Sequence, residues 1–129
     1  MGEGRLDPVR LFFASTGRMG RLAFLPAIAV VVGLFAAYEA AVRGPAHLAT
    51  AWLVHLVLLF SGVSLLSKRL HDRGRSGWWS APILLAFVVV WPRPAGVVDW
   101  LFAAILAWAA VELALAPGEP GANRFGPRP

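Results

Sequence analysis

The chain has 129 residues, no cysteine, and 58% apolar residues against about 45–50% in an ordinary soluble domain. A soluble fold of this size leaves about a third of its unfolded surface in water and cannot hide that much apolar side chain, so lipid is the expected solvent; a disordered tail, a disulfide scaffold and a water-soluble catalytic domain are excluded. The net charge of +5 is split into clusters between long uncharged stretches, the pattern of membrane flanks and not of a nucleic-acid-reading stripe, so no nucleic-acid partner is expected.

The first ten residues carry Glu3, Arg5, Asp7 and Arg10, and the apolar run that follows starts too late and runs too long for a cleaved signal. That run predicts a spanning helix over 22–42, since about 20 residues cover the roughly 30 Å hydrocarbon layer. Pro26 falls near its first turn, and Ala29, Gly33, Ala37 and Ala41 form a small-residue stripe for close helix packing. A second span is predicted over 47–67, free of formal charge, with Ser61, Ser64 and Ser67 at three-residue spacing. A basic loop follows over 68–75. The third apolar run, 76–91, contains Pro82 and reaches only about 24 Å by helical rise, with Trp78, Trp79 and Trp91 at its ends as an interfacial belt. The breaker Trp91-Pro92-Arg93-Pro94-Ala95-Gly96 separates it from a fourth span over 97–116, and a tail over 117–129 closes the single membrane domain.

The expected fold is therefore all-α, a small polytopic membrane protein of four transmembrane helices. Four crossings put all of the twelve Lys/Arg except Arg43 and Arg93 on one side, which makes both termini cytoplasmic. A third segment that turned back without crossing would move Arg93 inside and Arg124 and Arg128 outside.

Three segments then meet on the cytoplasmic face: Thr16 to Arg21, Lys68 to Trp79, and Gly118 to Pro129. Gly17-Arg18 with Arg21 and Phe24, the run Arg69-Leu70-His71-Asp72-Arg73-Gly74-Arg75-Ser76-Gly77-Trp78-Trp79, and the closing Gly121-Ala122-Asn123-Arg124-Phe125-Gly126-Pro127 together resemble the bacterial inner-membrane family catalogued as domain of unknown function 805. The likeness covers nearly the whole chain in order. It departs at Leu22-Ala23, where a more polar pair is usual, and in the alanine-rich fourth span. The resemblance implies a multi-pass inner-membrane protein with no assigned activity, and it supplies no catalytic residues.

The basic layer has two readings: an anion site, because arginine forks pair with phosphate or carboxylate, or topology plus headgroup contact worth about 1 kcal/mol per exposed cation. Lipid headgroups join the two. The residues expected to bind anionic headgroups are Arg18, Arg21, Arg69, His71, Asp72, Arg73, Arg75, Asn123 and Arg124, with Trp78, Trp79 and Phe125 as aromatic interface. His71-Asp72 reads either as an acid–base pair or, more simply, as structure, with Asp72 paired to Arg18, Arg21 or Arg69; neighbours on a helix do not face each other. Ser76 is expected to cap a helix start, and the tail to fold back with Phe125 near Trp78 or Trp79 and Asn123 on backbone groups. Glu39 and Asp99 lie near the outer boundary and Glu112 near the inner one, where snorkelling suffices, while His55 calls for an interhelical hydrogen bond.

No nucleophile context and no HExxH, CxxC or phosphate-loop pattern occurs, so no catalytic residue and no cofactor are expected. Nor is a metal site, because His47, His55 and His71 are spread over three depths. The leading expectation is a non-catalytic inner-membrane protein whose arginine-rich cytoplasmic face binds anionic headgroups or an acidic partner, with a homo-oligomer left open. The alternatives are a small dimeric transporter or channel, and a membrane enzyme acting on a phosphorylated or lipid substrate.

Overall fold

A computed structural model describes residues 7–129; Glu3 and Arg5 of the N-terminal stretch lie outside the described residues. The described residues form five helices in the order α1 (Pro8–Phe13), α2 (Arg21–Ala41), α3 (Gly44–Asp72), α4 (Ser80–Val90) and α5 (Val97–Ala109). A 3-10 turn, Gly77–Trp79, leads into α4, and a π-helical turn, Ala110–Leu115, finishes α5. Among the described residues there is no strand, only an isolated antiparallel bridge between Asn123 and Gly126.

Helix α1 was not expected. It starts because the Asp7 carboxylate accepts a hydrogen bond from Val9 N at 3.0 Å, with Pro8 in the first turn where its missing N–H costs nothing. It packs on α3, Leu11 and Phe12 against the core and Phe13 stacked on Phe60 with centroids 6.0 Å apart. The sequence signal for it is the Asp-Pro pair before Val9-Arg10-Leu11-Phe12-Phe13.

Helix α2 has 21 residues, about 31 Å, and buries Phe24, Ala27 and Val31, one face at helical spacing. Pro26 lies inside this helix, in its second turn, because the helix starts one residue earlier than expected, at Arg21. The small-residue stripe is not the face used within the chain, since Ala29, Gly33, Ala37 and Ala41 are all exposed. Helix α3 has 29 residues and runs on past the expected span, so that 68–72 of the expected loop is helical. Gly74, at φ 73°, ends it: Gly74 N donates to His71 O and Arg75 N to Leu70 O, the left-handed closure that glycine permits. Ser76 caps the next turn through Trp78 N.

Among the described residues three helices are long and apolar enough to cross a membrane, Arg21–Ala41, Gly44–Asp72 and Val97–Leu115, and Gly77–Val90 is a shorter apolar helix. Large apolar side chains such as Leu22, Leu48, Trp52 and Val97 are exposed along them, as lipid contact requires. The packed core sits at one end, where Met19, Phe24, Leu65, Leu66, Leu70, Ile83, Ala109 and Leu113 meet. Ser61, Ser64 and Ser67 are buried there too, in the C-terminal half of α3.

Candidate functional site

The polar chemistry of that packed end starts with the last turn of α3. Arg69 and Asp72 stand three residues apart on one helix face, so Arg69 Nη1 reaches Asp72 Oδ2 at 2.5 Å. The other carboxylate oxygen, Oδ1, accepts from Arg18 Nε at 3.1 Å and pairs with Arg18 Nη2 at 3.0 Å. Asp72 is thus held between two guanidinium groups, all three almost wholly buried.

Each arginine has more donors than one carboxylate can take, and the rest turn to main-chain oxygens of the segment leaving α5. Arg69 donates from Nε to Leu113 O at 2.6 Å and from Nη2 to Ala116 O at 2.5 Å. Arg21 Nη1 donates to Leu115 O at 2.7 Å, and Arg73 Nη1 to Pro117 O. Arg18 takes Gly121 O at 2.6 Å through Nη1 and Glu119 O at 2.7 Å through Nη2. A helix end leaves carbonyls without intrahelical partners, and a buried guanidinium needs several acceptors in fixed directions; here each need meets the other. The fit is tight: a Cβ on Gly118 would lie 1.9 Å from Asp72 Oδ2.

The tail folds back over this layer. Asn123 Nδ2 donates to His71 O at 2.9 Å, and Asn123 Oδ1 accepts from Phe125 N at 2.9 Å. Phe125 does not pack on Trp78 or Trp79 as expected. It stacks on the His71 ring, centroids 4.0 Å apart and planes at 6°. His71 is available for this because it projects away from Asp72, bonding through Nδ1 to Gly17 O at 2.9 Å. His71 and Asp72 therefore form no dyad: one holds the Gly17 turn and the other two arginines. Arg124 is exposed, its guanidinium 4.6 Å above the Phe125 ring.

Glu112 forms a second, more open node. Arg73 reaches its Oε1 at 3.1 Å and Arg75 at 2.9 Å. Arg75 engages Glu112 through Nε; neither of its terminal nitrogens has a hydrogen-bond partner among the described residues. Its side chain is 40% exposed and lies 5.5 Å over the Trp108 ring. It caps a groove of about 510 Å³ between α4 and α5, walled by Trp79, Pro82, Ala104, Ile105 and Trp108. A second cavity of about 770 Å³ lies between α1 and the start of α2 beside Arg10, Thr16, Arg18 and Lys68. Its lysine is engaged, Nζ donating to Arg10 O and Leu11 O at the end of α1.

The structure thus brings Arg18, Arg69, His71, Asp72, Asn123 and Phe125 into one largely enclosed network, joined from its exposed edge by Arg21 and Arg73, and leaves Arg75, Arg124, Trp78 and Trp79 at its rim. Sequence reading missed Trp108 and Glu112 as groove and arginine partners; the signal is their four-residue spacing on α5, which puts both on one face. At the far end of α3, a second correction is needed. His47 and His55 are not at separate depths: both Nε2 atoms converge on Glu39 Oε1, at 3.2 and 2.7 Å. Side chains pointing toward each other along the helix close the gap. Asp99, in the first turn of α5, accepts from Ala95 N at 3.0 Å and so ties the preceding turn to the helix.

The chain belongs to the family described as "Protein of unknown function (DUF805)", whose model matches residues 12–127. It is 29% identical over 123 residues to the Uncharacterized protein YiiR of Escherichia coli (strain K12), covering 88% of this chain and 84% of that protein. It is 36% identical over 62 residues to the Inner membrane protein YhaH of the same organism, 48% of this chain and 37% of that one. No solved structure matches.

Proposed function

We propose that this DUF805 protein is a multi-pass protein of a bacterial inner membrane, with four crossings and both termini cytoplasmic, that binds an anionic phospholipid at Arg75 and catalyses no reaction. The topology is supported by the charge distribution, by the printed name of YhaH and by a parity relation. The Gly17 turn, the Gly74 turn and the tail bond one another, which supports their sharing one side. A crossing by α5 then requires a return crossing by the segment over 77–96, short as it is. The domain is a single membrane domain over 1–129 in this reading, with the arginine network as its cytoplasmic floor.

The observation that carries the ligand reading is Arg75. Arg18 and Arg69 are buried with their donors engaged, so they secure the fold. Arg75 offers two terminal nitrogens at the mouth of an apolar, tryptophan-walled groove that opens along α4 and α5. That combination suits a phosphate above acyl chains: a forked donor at headgroup depth, with apolar walls below. Exposed Arg124 and Arg128 add attraction for anionic lipid, about 1 kcal/mol per cation at the surface.

Native mass spectrometry of the protein with phosphatidylglycerol and with phosphatidylcholine tests this. Bound phosphatidylglycerol should fall in Arg75→Gln and in Trp108→Ala, while Glu112 keeps its Arg73 contact and holds the fold. Equal retention of both lipids, or retention unchanged in Arg75→Gln, would refute the assignment. Loss of a co-purifying polypeptide in place of lipid would point to an acidic protein partner.

A further inference from the structure

At the α2–α3 turn, opposite the arginine network, Glu39 from α2 meets His47 and His55 from α3. One ligand atom of each, the two Nε2 and a carboxylate oxygen, lies within 4.8 Å of the others. The histidines are eight residues apart, about 12 Å of helical rise, yet their ring centroids are 6.0 Å apart because both side chains turn toward the carboxylate. Phe35 and Tyr38 flank them, Phe35 at 5.5 Å from His55 and Tyr38 at 5.4 Å from His47. Tyr38 is itself fixed by a 2.7 Å bond to Thr50 Oγ1.

We propose that Glu39, His47 and His55 form a binding site for one divalent transition-metal ion, zinc being the best match. Zinc takes imidazole nitrogen and carboxylate oxygen at about 2.0–2.2 Å, and tetrahedral geometry sets such donors about 3.3 Å apart. The pairs at 3.2 and 2.7 Å need only slight opening to admit the ion. Two imidazoles and one carboxylate select zinc, copper(II) or nickel over magnesium and calcium, which prefer all-oxygen shells. Charge agrees: the hydrogen-bond partners of the Glu39 carboxylate among the described residues are two imidazoles, with no arginine or lysine beside it. A divalent ion supplies the missing positive charge and replaces the protons that the imidazoles would otherwise share with the carboxylate. The half-exposed His55 side leaves the fourth position to water.

The site is independent of the lipid reading and is tested separately. The full chain, purified through a tag other than polyhistidine and stripped with chelator, is titrated with zinc chloride by calorimetry, and its metal content is read after gel filtration. One zinc per chain is expected, with a rise in unfolding temperature. His47→Ala and His55→Ala should each abolish stoichiometric binding and the stabilisation, Glu39→Gln should weaken both, and His71→Ala should change neither. Copper(II) loaded onto the wild-type chain should show paramagnetic-resonance coupling to two imidazole nitrogens, a readout that needs no variant to fold. No bound zinc, unchanged stoichiometry in the folded His47→Ala/His55→Ala double variant, or no two-nitrogen coupling would each overturn the site.

Discussion

The two ends of α3 carry charge in opposite ways. At the Asp72 end, cations outnumber carboxylates and the surplus donors are matched by backbone oxygens, with Arg69 showing no exposed surface. At the His47 end, one carboxylate faces two imidazoles, and all three side chains are partly exposed. A cluster whose every polar atom has a protein partner makes structure; a cluster whose ligand atoms converge and need open only slightly to admit an ion can bind. Arginine number is therefore a poor guide to ligand sites in this chain. The arginines most enclosed are the least able to meet anything else.

Substitutions at the two ends should differ in size accordingly. Asp72→Ala should be the most damaging, leaving Arg18 and Arg69 buried without their carboxylate; removal of one partner of a buried pair costs about 3–5 kcal/mol. Thermal unfolding in detergent should show a large drop or no folded protein, and an unfolding temperature close to wild type would break the contrast. Gly118→Ala should come next, at about 1–3 kcal/mol, because the added methyl meets the Asp72 carboxylate. Asn123→Ala should cost about 1 kcal/mol of hydrogen bonding and expose the tail to protease while the bundle survives. Glu39→Gln should be smallest in the metal-free protein, under about 1 kcal/mol, since the site is partly exposed. A Glu39→Gln effect as large as that of Asp72→Ala would place the outer cluster among the structural ones.

Much of this layout is legible in the sequence because membrane solvent imposes simple rules. Apolar length marked the spans of α2, α3 and α5, and Ser76 before Gly77 marked a cap. The convergence of the Arg18, Asp72 and Asn123 segments followed from counting cations on each side. What stayed hidden depended on where side chains point. Helix α1 is too short for a periodicity signal, and its stability comes from packing on α3. The extension of α3 through Lys68 and Arg69 needs carbonyl acceptors more than forty residues away, which no local pattern reveals. The choice of His71 over a tryptophan as the Phe125 partner is likewise a matter of rotamer and turn. Depth along the sequence misled for His47 and His55, because side chains two turns apart lean across the height that separates their backbones.

The arginine layer acts as an internal clasp on the tail. Hydrogen exchange of the wild-type protein in a lipid nanodisc tests it directly at the amides of Glu119, Asn123, Phe125 and Gly126, which donate to Asp72 O, Gly126 O, Asn123 Oδ1 and Asn123 O. The clasp predicts slow exchange at all four, lost together in Arg18→Gln while the amides of α2 stay protected. Exchange of those four amides at the rate of a free peptide in the wild-type chain would contradict it.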